Sequence, residues 1–314
     1  MNKKIPLFGS SETTRETPFN FDLFYKYGHA KHVPRIPESF LEWFIGFYEG
    51  DGSIYFTTIT DKKKRFSFQI TQKDRQLIEQ FKYIFGYGNV SCESRETGIY
   101  WKWTLESKES VEKISYLFYG NLIWPYRQMQ YSQWIRAGQE QGLFKQILLD
   151  QLVFRPPDQM ISFQNAWFSG FIDAEGCFYA HLKETYSPKT GNITIKLSQK
   201  FTLTQKQQTT DQSEIIIFQH ILDLLQTPSK IIIFQNKTKN CFYARIEIWR
   251  LVNQKHLIDY LKVYKLKTQK YISYRRWWRV WLRRQEQAHL THKGRKRLKR
   301  LISNINNHTK KVHG

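Results

Sequence analysis

Trp43-Phe44-Ile45-Gly46-Phe47-Tyr48-Glu49-Gly50-Asp51-Gly52-Ser53-Ile54-Tyr55-Phe56 returns 124 positions later as Trp167-Phe168-Ser169-Gly170-Phe171-Ile172-Asp173-Ala174-Glu175-Gly176-Cys177-Phe178-Tyr179-Ala180. Each copy reads as an aromatic helix, an acid at the helix end, a glycine and then a strand. Gly46 and Gly50 stand at i and i+4, as do Gly170 and Ala174, so each helix carries a stripe almost without side chains. Such a stripe lets two helix backbones approach closely. A single segment of this kind is usually an amphipathic core helix ending in a glycine cap; its duplication, acids included, asks for more.

Working outward, the period switches after Asp51-Gly52 from helical to two. Ser53–Thr60 and Arg65–Gln72 alternate and are joined by the charged turn Asp61-Lys62-Lys63-Lys64, a hairpin with Ile54, Phe56, Phe66, Phe68 and Ile70 inward. Tyr55, Thr57, Ser67, Gln69 and Thr71 face the other way. A helix over Asp74–Phe85 follows. Gly86-Tyr87-Gly88 precedes a strand and is a turn, not a nucleotide-binding loop. Val90–Arg95 and Tyr100–Leu105 form a second hairpin, with Trp101, Trp103 and Leu105 inward and Lys102 and Thr104 outward. Helices at Ser107–Tyr119 and Pro125–Gln141 complete the unit.

The second copy repeats the order. Its motif helix is expected over Ser162–Glu175, with strands at Cys177–Glu184 and Ile193–Thr204 and a helix at Ser213–Gln226. Strands at Lys230–Gln235 and Cys241–Trp249 follow, then helices at Asn253–Lys265 and Thr268–Arg284. Phe68-Gln69-Ile70-Thr71-Gln72-Lys73 aligns with Phe201-Thr202-Leu203-Thr204-Gln205-Lys206, nine residues out of step with the motif offset. The insertion is assigned to the loop Ser187-Pro188-Lys189-Thr190-Gly191. The fold class is therefore α+β: tandem α-β-β-α-β-β-α repeats about a pseudo-twofold axis, at 37–150 and 151–285. An N-terminal arm, 1–36, is expected to be extended and to pack locally through Phe19, Phe21, Phe24 and Tyr25. A basic tail, 286–314, reads either as a phosphate contact around Lys293–Arg300, as a disordered arm, or as a solvated charge run.

Composition bounds the partners. The net charge is +22, from 49 Lys and Arg against 27 Asp and Glu, and the stretch from Lys293 onward supplies only eight of those charges. The body itself is thus basic, and nucleic acid is the commonest polyanion to match it. No run of about 18 apolar residues exists, so no membrane span is expected. The first residues lack a secretory core and do not form an Arg-rich transit helix. Cys92, Cys177 and Cys241 are odd in number and have no CxxC spacing, which fits a reducing compartment. The pairs His29/His32 and His289/His292 lack the further ligands of a metal site and read as surface histidines.

If the two motif helices cross at their small-residue stripes, their C-terminal ends bring Asp51 and Glu175 together. Two carboxylates at two negative helix ends repel unless a cation lies between them. A divalent ion with oxygen ligands fits, and Mg²⁺ is the expected one. In a basic, DNA-facing surface that arrangement suits phosphodiester hydrolysis. Glu49 and Asp173, two residues earlier, lie on roughly the opposite helix face and read as capping or structural partners.

The duplicated motifs resemble the signature of the LAGLIDADG homing endonucleases in their single-chain, two-motif form, over residues from about 38 to 285. Phe44–Gly52 and Phe168–Gly176 fill the nine motif positions. The resemblance implies two antiparallel sheets forming a saddle over DNA. It makes Asp51 and Glu175 the metal-binding acids of two or three divalent ions, assisted by the main-chain carbonyls of Gly50 and Ala174. It also implies a surrounding set that positions water and offsets charge: Gln72 and Gln205 after the second strands, Lys270 before the last helix, and, with Trp134 aligned to Trp277, Arg127 at the equivalent point of the first half. Lys267 competes with Lys270 for that role. Arg for Lys at 127 is a departure, because guanidinium does not trade protons near neutrality.

The outward strand positions Tyr55, Thr57, Gln69 and Lys102, with Tyr179, His181, Lys183, Thr202 and Arg245, are expected to meet the major groove, where a two-stranded ribbon fits. Because the halves differ there, the expected target is long and non-palindromic. The leading reading is a metal-dependent, site-specific double-strand DNA endonuclease, acting as a monomer and leaving short 3′ overhangs as the family does. An intron RNA maturase or a non-cleaving DNA-binding regulator on the same scaffold is the alternative, with intron RNA as the further partner; a basic structural protein leaves the paired acids unexplained. Abundant Ile, Phe, Tyr, Lys and Asn with little Ala suggest an AT-rich genome. Group I intron proteins encoded in a mitochondrion or chloroplast have that look.

Overall fold

The computed structural model describes residues 17–60, 63–186, 188–189, 191, 193–207, 213–236 and 240–306. Part of the charged turn at Asp61-Lys62, part of the Ser187–Gly191 loop, residues 1–16 of the arm and 307–314 of the tail lie outside the described residues.

The first half runs α1 (Glu38–Asp51), β1 (Gly52–Thr60), β2 (Lys63–Gln72), α2 (Arg75–Phe85), β3 (Asn89–Arg95), β4 (Gly98–Leu105), α3 (Lys108–Phe118) and α4 (Pro125–Gln139). A short α5 (Pro157–Met160) leads into the second half. That half runs α6 (Trp167–Glu175), β5 (Gly176–Tyr186), β6 (Ile193–Lys206), α7 (Ser213–Leu224), β7 (Ile232–Asn236), β8 (Cys241–Ile248), α8 (Leu251–Val263) and α9 (Lys270–Gln285). The strands form two four-stranded antiparallel sheets of matching order, β1-β2-β4-β3 and β5-β6-β8-β7. The tandem α-β-β-α-β-β-α order read from the sequence is observed in both halves, each closed by one further helix, α4 or α9.

Local chemistry sets the element ends. The Asp74 carboxylate accepts the Gln76 and Leu77 N–H groups at the start of α2, and Gly86 ends that helix in the left-handed region at φ 75°. Ser107 caps α3 by accepting the Ser110 N–H. Pro125 opens α4, where its missing N–H costs nothing.

The first-half core is aromatic. Phe44 of α1, Phe68 and Trp103 of the sheet, and Phe81 and Phe85 of α2 pack ring to ring at 4.7–6.4 Å. In the second half Phe178, Phe201, Tyr274 and Trp277 form the matching cluster. Trp134 of α4 and Trp277 of α9, aligned from the sequence, are both buried and donate their indole N–H to sheet carbonyls, those of Tyr55 and Lys200.

Several expectations need correction. Phe56 is 38 % exposed, since the β1–β2 hairpin runs out beyond the helices that cover its root. Ser67, on the outward parity and paired with Tyr55, is buried because so short a side chain does not clear its neighbours. Trp101 faces inward as expected and packs on the edge of the core, half-buried, with the Arg75 guanidinium 4.5 Å from its ring centroid.

The second motif helix begins at Trp167 rather than Ser162. Asn165 accepts the Trp167 N–H, and the buried Glu42 of α1 accepts the Ala166 N–H at 2.8 Å, so polar caps stop the helix from extending backward. The nine extra residues of the second hairpin lengthen β5 and β6 as well as the turn between them.

The arm does not simply pack on itself. Phe19, Phe21 and Phe24 enter the first-half core, Asn20 and Asn121 exchange two hydrogen bonds, and a π-helical turn over Phe24–Gly28 lies against α3. Nor is Lys293–Arg300 a loose charge run. It lies in α10 (His292–Ser303), which Thr291 caps and Leu298 anchors, and whose Arg295 and Lys299 pair with Glu184 of β5.

Candidate metal centre and nucleic-acid interface

α1 and α6 cross at the small-residue stripes. A Cβ on Gly46 would sit 2.0 Å from the Trp167 carbonyl oxygen, and one on Gly170 would sit 1.8 Å from that of Trp43. Nearer the C-terminal ends, a Cβ on Gly50 would meet the Ala174 Cβ at 2.3 Å and the Glu175 Cγ at 3.1 Å. The absence of side chains is therefore what seats Glu175 over Gly50, beside Asp51.

Both acids are half-buried and closely surrounded by protein, and among the described residues no salt bridge reaches either of them. Burial pushes the Asp51 carboxyl up to about 6, against the opposing pull of Lys270, of the Gln72 hydrogen bond and of Arg127. Glu175 is pushed up to about 8, by burial first and by the Asp51 charge second. A like-charged pair held this way is poised for a divalent cation, which would discharge the repulsion and supply the charge that burial removes. Among the described residues no three His, Cys, Asp or Glu side chains cluster, so the protein's side-chain share of such a site is these two carboxylates. That donor set fits an ion completed by water and phosphate oxygens, as Mg²⁺ prefers, rather than one in an all-protein cage.

The surrounding polar groups are not symmetric. Gln72 Nε2 donates to Asp51 Oδ2 at 2.6 Å. Gln205 lines a cleft of about 150 Å³ with Glu175, Arg127, Lys206 and Glu214. Lys270 Nζ donates to the carbonyls of Ile172 and Ala174 at 3.1 and 3.0 Å, and Arg127 Nε donates to that of Glu49 at 3.0 Å. Each cation thus sits on last-turn carbonyls at the negative end of its own half's motif helix. The Ala174 carbonyl, expected to help a metal, is engaged by the Lys270 ammonium. Lys267 does not occupy that position: its Nζ lies 5.7 and 5.9 Å from the Phe40 and Trp43 ring centroids, and only its backbone N–H reaches Asp173. Burial lowers the Lys270 pKa, partly offset by Asp173, Asp51 and Glu175.

Glu49 and Asp173 point away from the acid pair, as their spacing indicates, and are fully engaged. Glu49 accepts the Ile123 and Trp124 N–H groups at 2.6 and 2.7 Å and the Trp167 indole N–H at 2.6 Å. Asp173 accepts the Lys267 N–H and the Thr268 hydroxyl, and the Trp43 indole N–H at 2.9 Å.

The open sheet faces carry the expected outward residues. Tyr55, Thr57, Tyr179, His181 and Lys183 are exposed, whereas Gln69, Lys102, Thr202 and Arg245 are half-buried. Tyr55 donates to Gln69 at 3.5 Å, and Arg245 to the Thr204 hydroxyl at 3.0 Å with its guanidinium over the Phe234 ring. Arg65, Lys196 and Lys200 share the outward parity, paired with Thr57, Lys183 and Tyr179, and belong to the same face. Strict alternation from Phe66 and Leu197 was the signal that finds them.

Lys102 is neutralised by Glu93 of the neighbouring strand, whose carboxyl Arg95 and Lys102 hold down at about 2. Glu93→Gln is expected to free Lys102 and Arg95 for phosphate. Duplex affinity should rise severalfold, with the slope of log K on log salt steepening by about one for each of the two cations that reaches a phosphate. Salt-titrated fluorescence anisotropy measures both, and an unchanged slope would mean that neither cation reaches the DNA.

The profile of the family described as LAGLIDADG endonuclease matches this chain twice, over residues 44–137 and 168–281. The chain belongs to the LAGLIDADG endonuclease family. Its relatives include a probable intron-encoded endonuclease 4 of Neurospora crassa, 28 % identical over 76 % of this chain and 39 % of that protein. Another is the intron-encoded RNA maturase bI4 of Saccharomyces cerevisiae, 27 % identical over 64 % of this chain and 30 % of that one. The chain therefore spans well under half the length of these two relatives. In architecture it is similar to I-SmaMI bound to an uncleaved DNA target with calcium ions, at a TM-score of 0.63 and 18 % identity, covering 87 % of this chain and 99 % of that one. The fold is thus common to the chain and that solved structure. No helix among the described residues is long and apolar enough to cross a membrane.

Proposed function

We propose that this LAGLIDADG protein is a site-specific, divalent-metal-dependent double-strand DNA endonuclease, acting as a monomer on a long asymmetric site. The observation that carries the reading is the half-buried carboxylate pair, Asp51 and Glu175, held together at the glycine-lined crossing between two basic sheets. Asp51 and Glu175 would hold the ions, with Gly50 contributing its carbonyl and Ala174 the part of its carbonyl that Lys270 leaves free. Bound there, two or three Mg²⁺ ions supply an activated water and charge for the leaving oxygen. The chain's own contribution is orientation. Gln72 fixes one Asp51 oxygen, and Gln205 faces the cleft beside Glu175. Lys270 and Arg127 add positive charge where phosphate charge accumulates, and of the two only Lys270, whose pKa burial lowers, is a group that could give up its proton. Tyr55, Thr57, Gln69 and Lys102 in one half, with Tyr179, His181, Lys183, Thr202 and Arg245 in the other, present different readers to the two half-sites.

Protein incubated with Mg²⁺ and a randomised duplex library should yield cut molecules sharing one asymmetric sequence, with short 3′ overhangs. Cutting that survives excess chelator, or no enrichment at all, overturns the reading. The intron-encoded relatives and the AT-rich composition support a group I intron in an organelle as its source.

One observation favours intron RNA as an additional partner. Arg279 and Arg283 of α9 and Arg297 and Arg300 of α10 line a cleft of about 440 Å³, and only Arg283 has a carboxylate partner among the described residues. Since α10 pairs with Glu184, which shares its strand parity with the buried Phe178 and Ala180, the cleft lies away from the reading face. Arg297→Glu with Arg300→Glu should weaken metal-independent intron-RNA binding while sparing duplex DNA. Equal loss of both, or of neither, argues against it.

A further inference from the structure

The buried tryptophans Trp43 and Trp167 occupy matched positions of the two motifs, fully out of solvent at the crossing. Each stacks on the next turn of its own helix, on Phe47 and Phe171 at 5.1 and 5.3 Å. Phenylalanine would supply that packing. What an indole adds is one N–H, and buried indoles need an acceptor. Here each acceptor belongs to the other half: Trp43 Nε1 donates to Asp173, and Trp167 Nε1 to Glu49.

Those carboxylates do not stop there. Asp173 receives the Lys267 N–H and the Thr268 hydroxyl, and Thr268 Oγ1 in turn accepts the N–H of Lys270, the first residue of α9. Glu49 receives the N–H groups of Ile123 and Trp124, immediately before α4, whose first turn carries Arg127. The chain of contacts from each indole therefore ends on the segment that delivers the opposite half's cation to the helix-end carbonyls.

We propose that Trp43 and Trp167 are positioning residues acting in trans: Trp43 sets the placement of Lys270, and Trp167 sets the placement of Arg127. The two halves are thereby cross-wired, so that neither cation is seated unless the motif helices are docked. Because Lys270 sits on the carbonyls of Ile172 and Ala174 in α6 and Arg127 on that of Glu49 in α1, losing one indole N–H disturbs the two strand cuts unequally. This rests on the nuclease reading, and the wild-type protein cutting both strands of its selected target is the reference that tests that reading separately.

The experiment is single-turnover cleavage of a target labelled differently on each strand, with Trp43→Phe and Trp167→Phe. Each variant should slow one strand about 10–100-fold relative to the other, with the bias reversed between the two variants and duplex affinity in Ca²⁺ close to wild type. Should either phenylalanine variant fail to fold, benzothienylalanine at the same position keeps the bicyclic shape and removes only the N–H. Equal slowing of both strands, slowing that tracks a loss of affinity, or unaltered rates on both strands would each overturn the assignment.

Discussion

Asp51→Asn and Glu175→Gln each remove cleavage, by about 10³-fold or more, and leave target binding nearly intact. Both changes keep side-chain volume. In Asp51→Asn the new side chain retains an oxygen for the Gln72 amide, which donates to Asp51 at 2.6 Å. What disappears is the charge that holds a divalent ion. Binding survives because the reading residues lie on the sheets, not at the helix ends. Loss of binding with either variant, or cleavage unaffected by both, contradicts the assignment.

A second readout uses no activity. Glu175 is raised from 4.5 to about 8 by burial and by Asp51. A carboxyl whose folded pKa is raised contributes stability that is full below its unfolded value, and that contribution is lost as pH rises through the folded value. Metal-free wild-type protein should therefore lose melting temperature between about pH 4.5 and 8 on this account. Glu175→Gln has no such group, so its melting temperature in chelator should exceed wild type by a margin that grows with pH. Parallel curves would show that the carboxylate is not buried against Asp51.

The second large effect is on the crossing itself. Gly46→Ala and Gly170→Ala each drive a methyl into the facing backbone, 2.0 and 1.8 Å from a carbonyl oxygen. Backbone has no rotamer to turn aside, so α1 and α6 must part. Each substitution is expected to cost about 3 kcal/mol or more. The double variant should cost less than the sum, since one parted interface already admits the second methyl. Cleavage should fall with stability, because Asp51 and Glu175 ride on the ends of the separated helices. Ala174→Gly, which removes a methyl from the same seam, should cost only about 1 kcal/mol. Denaturant unfolding measures all four, and a Gly46→Ala protein as stable as wild type would mean the helices do not meet there.

The element order was legible because burial leaves a period. Phe66, Phe68 and Ile70 alternate with polar residues in a strand covered on one face, and α1 and α6 each carry their acid one residue before a glycine. Duplication supplied what a single motif lacks: matched positions for Asp51 and Glu175, and an alignment of Trp134 with Trp277 that carries Arg127 onto Lys270.

Other features left no period to read. Lys267 and Lys270 are equally basic and three residues apart, and only the turn before α9 aims one ammonium at the helix-end carbonyls and the other at Phe40 and Trp43. The quenching of Lys102 by Glu93 depends on which strand lies beside β4. The arm shows its aromatic patch and α10 its few apolar residues, but neither pattern says which surface it docks on; that depends on what the body leaves uncovered.

The amino-acid sequence by itself determined the two repeats, their sheets, the glycine stripes and the pair of acids, since each is a pattern of side-chain size and polarity within one segment. The tertiary structure alone decided which donors those groups meet. Trp43 and Asp173 are 130 residues apart, as Trp167 and Glu49 are 118, and a hydrogen bond over such a separation is set by packing, of which local spacing keeps no trace.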